Sequence, residues 1–150
     1  MKRTTTMTDL RVESGSWDQL GEVAGAIRYQ VFVIEQAVPE EEEWDGRDPE
    51  CLHLLAWQGD RALGTARLLP DGHIGRVAVH AEARGLGVGA ALMRATINAA
   101  QQLGHTEVEL AAQTHALAFY EQLGFHAWGE EFLDAGIPHR NMTLQLDNQD

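Results

Sequence analysis

The stretch Arg84-Gly85-Leu86-Gly87-Val88-Gly89 constrains this chain more than any other. Ahead of it lies Ile74-Gly75-Arg76-Val77-Ala78-Val79, a short apolar run that reads as a buried strand. Behind it Val88, Leu92, Ala95, Ala99 and Leu103 recur at helical spacing. A strand therefore feeds a glycine-rich turn that opens a helix. Such a turn aims several backbone N–H groups at one point, and the helix N-terminus adds partial positive charge there. Its glycines permit positive φ and let a ligand approach the backbone closely. Arg84 supplies a fixed cation. The turn reads as a phosphate site. The plain alternative is a connector whose glycines only let helix pack on strand, and the hexamer alone does not separate the two.

The remainder of the chain supplies the context. Leu10 and Val12 alternate with charged neighbours in a first strand. Ser16 and Gln19 have the spacing of a capping box. Leu20, Ala24, Ile27, Val31 and Ile34 mark a helical face that Gly21 and Gly25 weaken, so two helical pieces are expected. Glu40-Glu41-Glu42-Glu43-Trp44-Asp45 reads as a solvated acidic loop, or as a collar for an ammonium group with Trp44 as its aromatic face. Strands follow over 53–57, 62–69 and 74–79, joined by short turns. The helix after the glycine turn runs from Gly87 to Leu103 and is closed by Gly104. A strand over 106–111 precedes a short helix, 115–123, with Thr114 as N-cap and Gly124 as its end. Residues 125–133 are extended, Asp134–Pro138 is a loop, and Met142, Leu144 and Leu146 alternate in a last strand. This order predicts a mixed α/β fold with one mostly antiparallel central sheet flanked by helices. It is not the alternating β-α pattern of a dinucleotide fold.

A chain of 150 residues fits one domain, 1–150, with residues 1–6 and 147–150 expected to fray. The start, Met1-Lys2-Arg3-Thr4-Thr5-Thr6, is followed by no apolar h-region, so no secretory signal is expected. No apolar run approaches the roughly 20 residues that span a bilayer, and no membrane partner is expected. A net charge of −12 argues against nucleic acid as a partner. The lone Cys51 excludes an internal disulfide and fits a reducing cytoplasm, and no zinc-type ligand spacing occurs, so no metal is expected.

The chain resembles the GNAT family of N-acetyltransferases. The turn Arg84–Gly89 fits that family's pattern of Arg or Gln, two residues, Gly, one residue, Gly or Ala, and it follows the strand Val77-Ala78-Val79 at the family's distance. The stretch Tyr120-Glu121-Gln122-Leu123-Gly124-Phe125 is similar to the family's Tyr-Glu-x-x-Gly-Phe signature. The element order matches over nearly the whole chain. A narrower resemblance, to the ElaA-type subgroup, rests on Arg28–Gln36 and Gly136-Ile137-Pro138-His139.

The resemblance implies acetyl-CoA as co-substrate, bound where the strands 74–79 and 106–111 splay apart. It places the pantetheine arm on the backbone of Val77, Ala78 and Val79. The pyrophosphate falls beside Arg84, on Gly85, Leu86, Gly87, Val88, Gly89 and Ala90. Gln113 stands where the family often has a cofactor-contacting Asn. The implied reaction is direct attack of a primary amine of a small molecule or peptide on the thioester. A backbone N–H of 74–79 would stabilise the oxyanion, and Tyr120 would protonate the leaving thiolate. Glu35 and His139 are the leading bases, with Glu109 and His53 weighed beside them. Dimers are frequent in the family, so a homodimer is an implied partner state. The alternatives are an acyl-CoA sensing module without turnover and a phosphate binder that takes no CoA. A Cys51–His53 nucleophile lacks an oxyanion hole in sequence.

Overall fold

The computed structural model describes residues 10–146, so both tails expected to fray, 1–6 and 147–150, lie outside the described residues. The elements are β1 (Leu10–Gly15), α1 (Trp17–Arg28), α2 (Glu40–Glu43), β2 (Leu52–Gln58), β3 (Arg61–Leu68), β4 (Ile74–Val79), α3 (Val88–Gln102), β5 (Glu107–Gln113), α4 (Leu117–Gln122), β6 (His126–Asp134) and β7 (Ile137–Gln145). Between α1 and α2 the chain winds as a π-helix over Tyr29–Glu35, with Gln36 N–H donating to Val31 O at 3.1 Å. Such wide turns are uncommon and concentrate at functional sites.

The expected sheet is present as two parts that separate between β4 and β5, the pair of strands expected to splay. One sheet has the order β1-β2-β3-β4 and the other β5-β7-β6, and every strand pair in both is antiparallel. The sheets touch through a parallel bridge between His73 and Glu109, where Glu109 N–H donates to Gly72 O at 3.2 Å. Beyond that point β4 and β5 part. The cause lies in β4. Thr65 pairs with Ala78 and Arg67 with Gly75, so Ala66 faces both Arg76 and Val77. This extra residue is a β-bulge, which bends its strand. Arg76 takes φ of 49° to make it.

Helix α3 covers the seam. Val88 and Leu92 pack with Leu54, Ala56 and Leu63, whereas Met93 and Ala100 pack with Leu110, Phe125 and Met142. Helix α1 covers the opposite face through Leu20, Ala24 and Ile27 against Leu55 and Ala78. Alternation along β2 thus sends Leu54 to α3 and Leu55 to α1. Each such burial stabilises by about 1.5–3 kcal/mol. The Ser16–Gln19 capping box forms at the start of α1. Gly21 and Gly25 do not break α1, because the rings of Trp17 and Trp44 lie against them. Thr114 does not cap α4; it belongs to a tight turn, Thr114–Ala116, that precedes it. The expected loop Asp134–Pro138 shrinks to Ala135-Gly136, both at positive φ, and Pro138 belongs to β7. A two-residue turn with both φ positive matches strand twist.

The acidic stretch is largely solvated, with Glu40, Glu41, Glu42 and Asp45 exposed, but Glu43 turns inward. Glu43 is 2% exposed, and Arg28 at the end of α1 is fully buried. Arg28 Nε donates to Glu43 Oε2 at 2.5 Å and Nη1 to Asp48 Oδ1 at 2.7 Å. The rings of Trp44 and Trp17 flank the guanidinium at 5.1 and 5.5 Å, so Trp44 is already taken by a cation of the protein. Arg67 adds bonds to Asp45 and Asp48. Its hydrogen bonds hold the Asp45 carboxyl well below the usual range. Burial pushes Asp48 up, but the hydrogen bond and charge of Arg28, with Arg67 behind it, bring the net shift down.

Arg28→Met removes the hydrogen-bonded partner of buried Glu43 and one of the two guanidinium partners of Asp48. Breaking a buried pair in this way costs about 3–5 kcal/mol, to be read from denaturant unfolding. The pH dependence has a definite sign. Folded carboxylates with depressed values stabilise above the unfolded value near 4 and lose that stabilisation as pH falls through their folded values. His53, fully buried, is pushed down chiefly by burial. The folded state therefore also loses stability as pH falls below about 6.5, the unfolded histidine value. Unfolding midpoints should decline in these two stages between pH 7 and pH 2, and His53→Gln should remove the first.

Candidate active site

The parting of β4 from β5 opens a cleft of about 1050 Å³. One bank is the backbone of Val77, Ala78 and Val79, and the other is Leu110, Ala111 and Gln113. At one end the glycine turn closes it with Arg84, Gly85 and Gly87–Ala90. At the other lie Arg76, Asp134, Ile137 and His139. Phe119 and Tyr120 of α4 line it, and Glu35 and Gln36 cross its mouth.

The turn has the geometry of an anion cradle. Gly85 and Gly87 sit at φ of 80° and 87°, where a side chain is strained by about 1–2 kcal/mol. The first helical bond runs from Ala91 N–H to Gly87 O, and among the described residues no N–H of 85–90 donates to a protein acceptor. Those orphan donors carry the partial positive charge of α3. Gly89 has a second reason to be glycine: a Cβ there would meet Phe119 Cζ at 3.3 Å. Leu86 does not line the cleft; its side chain is 49% exposed.

Two side-chain bridges tie the π-helical segment to both banks. Arg84 Nη1 and Nη2 donate to the Glu35 carboxylate at 2.5 and 2.7 Å, and Arg84 Nε donates to Val79 O at 2.9 Å. This pairing lowers the pKa of Glu35 and raises that of Arg84. Gln36 and Gln113 exchange amide hydrogen bonds at 3.0 and 3.4 Å. Arg84, Val79 and Gln113, all expected to meet a cofactor, are thus engaged by protein groups.

Tyr120 is 9% exposed, with the rings of Phe119 and Phe125 edge-on at 4.9 and 6.0 Å. Burial pushes its phenol up to about 12, so it is a hydrogen donor at neutral pH. His139 Nδ1 lies 2.6 Å from Ile137 O and its ring stacks on Phe132 at 5.9 Å. A carbonyl can only accept, so Nδ1 is the donor in this contact, and Nε2 is the ring nitrogen not engaged by Ile137.

Other expected groups lie elsewhere. His53 is enclosed against Trp17, with Nε2 3.0 Å from Asp48 O. Glu109 pairs with His73 at 2.9 Å outside the cleft. Cys51 donates its thiol to Arg47 O, and burial raises its pKa, the opposite of an activated nucleophile. Arg76, whose mid-strand position in the sequence leaves open a cofactor contact or a carboxylate pair, pairs with Glu43 and Asp45; Gln36 and Phe119 were not foreseen as parts of a site. The Gln36–Gln113 contact joins residues 77 apart, which no local pattern encodes. Among the described residues no three His, Cys, Asp or Glu gather as a metal-binding group, and no helix is long and apolar enough to cross a membrane.

Comparison with known proteins places this architecture. The family model described as an acetyltransferase (GNAT) domain matches residues 12–146. The chain is 41% identical over 120 residues to the "uncharacterized N-acetyltransferase YjcF" of Bacillus subtilis, covering 77% of this chain and 86% of YjcF. It is 33% identical over 128 residues to ElaA of Escherichia coli, covering 80% and 84%. The crystal structure of E. coli ElaA superposes with a TM-score of 0.82 at 30% identity, covering 90% of this chain and 99% of that one. An acyl-CoA N-acyltransferase from Pseudomonas aeruginosa superposes at 0.80 with 36% identity and the same coverage. The chain belongs to the GNAT acetyltransferase family, with ElaA among its homologues.

Because Glu35 and Arg84 are both about 40% exposed, their pair contributes little to folding. Glu35→Gln should change the unfolding free energy by less than about 1 kcal/mol, measured by denaturant titration.

Proposed function

We propose that this protein transfers the acetyl group of acetyl-CoA to a primary amine of a small molecule or peptide, by direct attack within a ternary complex. The observation that carries this reading is the open backbone of β4 leading to six unused N–H groups at residues 85–90. That shape suits an extended thioester arm ending in a diphosphate. The free thiol of buried Cys51 fits a reducing, cytoplasmic setting.

In this reading the arm lies along Val77–Val79 and the diphosphate rests on the turn. Arg84 then exchanges the Glu35 carboxylate for phosphate oxygens, so donor binding releases Glu35. The amine nitrogen attacks the thioester carbonyl carbon. The oxyanion takes a hydrogen bond from an N–H of β4 at the bulge. The carbon–sulfur bond breaks, and Tyr120 delivers its proton to the departing thiolate. The amine proton passes to His139 Nε2. Glu35 is the weaker base while Arg84 holds it, and becomes available only once released. Gln113 holds the Gln36 strap and can turn its amide to the arm.

The rival reading, acyl-CoA sensing without turnover, shares the donor site and parts company at Tyr120. Saturating acetyl-CoA at about 100 times Kd should stabilise the fold by about 2.7 kcal/mol, seen as a rise in Tm. Gly87→Glu should abolish that rise, while Gly87→Ala, with the same φ strain but no charge or bulk, should keep most of it. An unchanged shift in Gly87→Glu would remove the turn from the site. Tyr120→Phe should cut thiol release by about 100-fold or more without weakening the thermal shift. Turnover equal to wild type across pH would refute the acid role, and no turnover with any amine would favour the sensor.

A further inference from the structure

Arg76 combines an unusual backbone with an ill-satisfied side chain. It holds the bulge of β4 at φ of 49°, a region costly for a side chain bearing a Cβ. Its guanidinium is 24% exposed and lines the cleft beside Val77. Nη2 donates to Glu43 O at 3.0 Å and, more weakly, to Glu42 O and Asp45 Oδ2 at 3.4 Å. Nε is enclosed and makes no hydrogen bond; Glu43 Oε1 lies 3.3 Å away but out of line. Among the described residues, Nη1 donates to nothing.

The nearby carboxylates are already shared. Glu43 is bonded to Arg28 at 2.5 Å and Asp45 to Arg67 at 2.5 Å, while Asp48 serves Arg28 and Arg67 together. Three arginines thus divide three carboxylates, and Arg76 receives the poorest geometry. Its pKa is lowered, first by burial and further by repulsion from Arg67 and Arg28, against the pull of Glu43 and Asp45. A partly desolvated guanidinium with an open donor facing a cleft is a site for a planar anion. The two other carboxylates lining this end, Glu42 and Asp134, are exposed. They disfavour a dianion and suit an ammonium group.

We propose that Arg76 anchors the carboxylate of the acceptor, so that the amines acetylated here are carboxylate-bearing amines of amino-acid type rather than plain alkylamines or polyamines. The bulge sets this anchor one residue from Val77, where the acyl carbonyl lies in the acetyl-transfer reading on which the proposal rests. An amine close to a carboxylate held there reaches the thioester carbon.

The test uses acceptor pairs that differ by one carboxylate: lysine with 1,5-diaminopentane, and phenylalanine with 2-phenylethylamine. Thiol release with acetyl-CoA should give kcat/KM about tenfold or more higher for the carboxylated member. Arg76→Met should raise KM about tenfold more for that member than for its partner, and Arg76→Lys should restore part of the preference. Equal rates within each pair in wild type would overturn the proposal. So would an Arg76→Met loss that falls equally on both members, since Arg76 would then only brace the bulge. Should Arg76→Met fail to fold, the wild-type pairs and Arg76→Lys decide. Calorimetry with N-acetylphenylalanine and N-acetyl-2-phenylethylamine in the presence of CoA reads the anchor without turnover. Carboxylate-dependent binding with no turnover would sustain the anchor and refute acetyl transfer. Turnover without preference would refute the anchor alone.

Discussion

The guanidinium of Arg28 lies out of water between Trp17 and Trp44, where Glu43 and Asp48 meet it with hydrogen bonds. A buried charge left unpaired costs several kcal/mol, so this requirement organises the segment around it. Glu43 must turn inward, which folds 40–43 into a helical turn. Asp48 must come close, which brings in Arg67 from β3. The carbonyls of Glu42 and Glu43 then stand where Arg76 can bond them. A chain of charges thus runs from the end of α1 to the bulge that parts β4 from β5.

The same segment controls the cleft mouth. After Arg28 the helix widens into the π-helical stretch, which carries Glu35 to Arg84 on one bank and Gln36 to Gln113 on the other. The packed half of the molecule lies below, where α3 joins the two sheets through separate apolar faces. Stability and chemistry are therefore divided. The seam under α3 holds the strands, and the polar straps above it are an exposed Glu35–Arg84 pair and a part-buried Gln36–Gln113 pair.

Much of the site was readable from local pattern. The strand–turn–helix around Gly85–Gly89 appears where hydrophobic spacing puts it, because the turn needs positive φ and the helix needs a 3.6-residue stripe. The Tyr120 signature lands in a short helix facing the same cleft. The readings that failed share one cause. Glu40–Glu42 are solvated as four adjacent glutamates suggest, yet Glu43 is buried because Arg28 and Arg76, from distant positions, meet it. Gly21 and Gly25 look like breaks because propensity ignores the indole rings that pack on them. The partner of Glu35 is likewise hidden, because nothing local reveals Arg84 at a separation of 49 residues.

By itself the sequence determined most of the elements, the glycine turn, the aromatic acid candidate and the family, since each depends on short-range spacing and backbone preference. Only the tertiary structure decided that a bulge at Arg76 stands where the strands part, that Glu35 and Arg84 are partners, and that Gln36 meets Gln113. Those features arise from long-range pairing of charges and carbonyls. A linear pattern records which groups a chain carries, and packing alone selects which of them must share the same dry space.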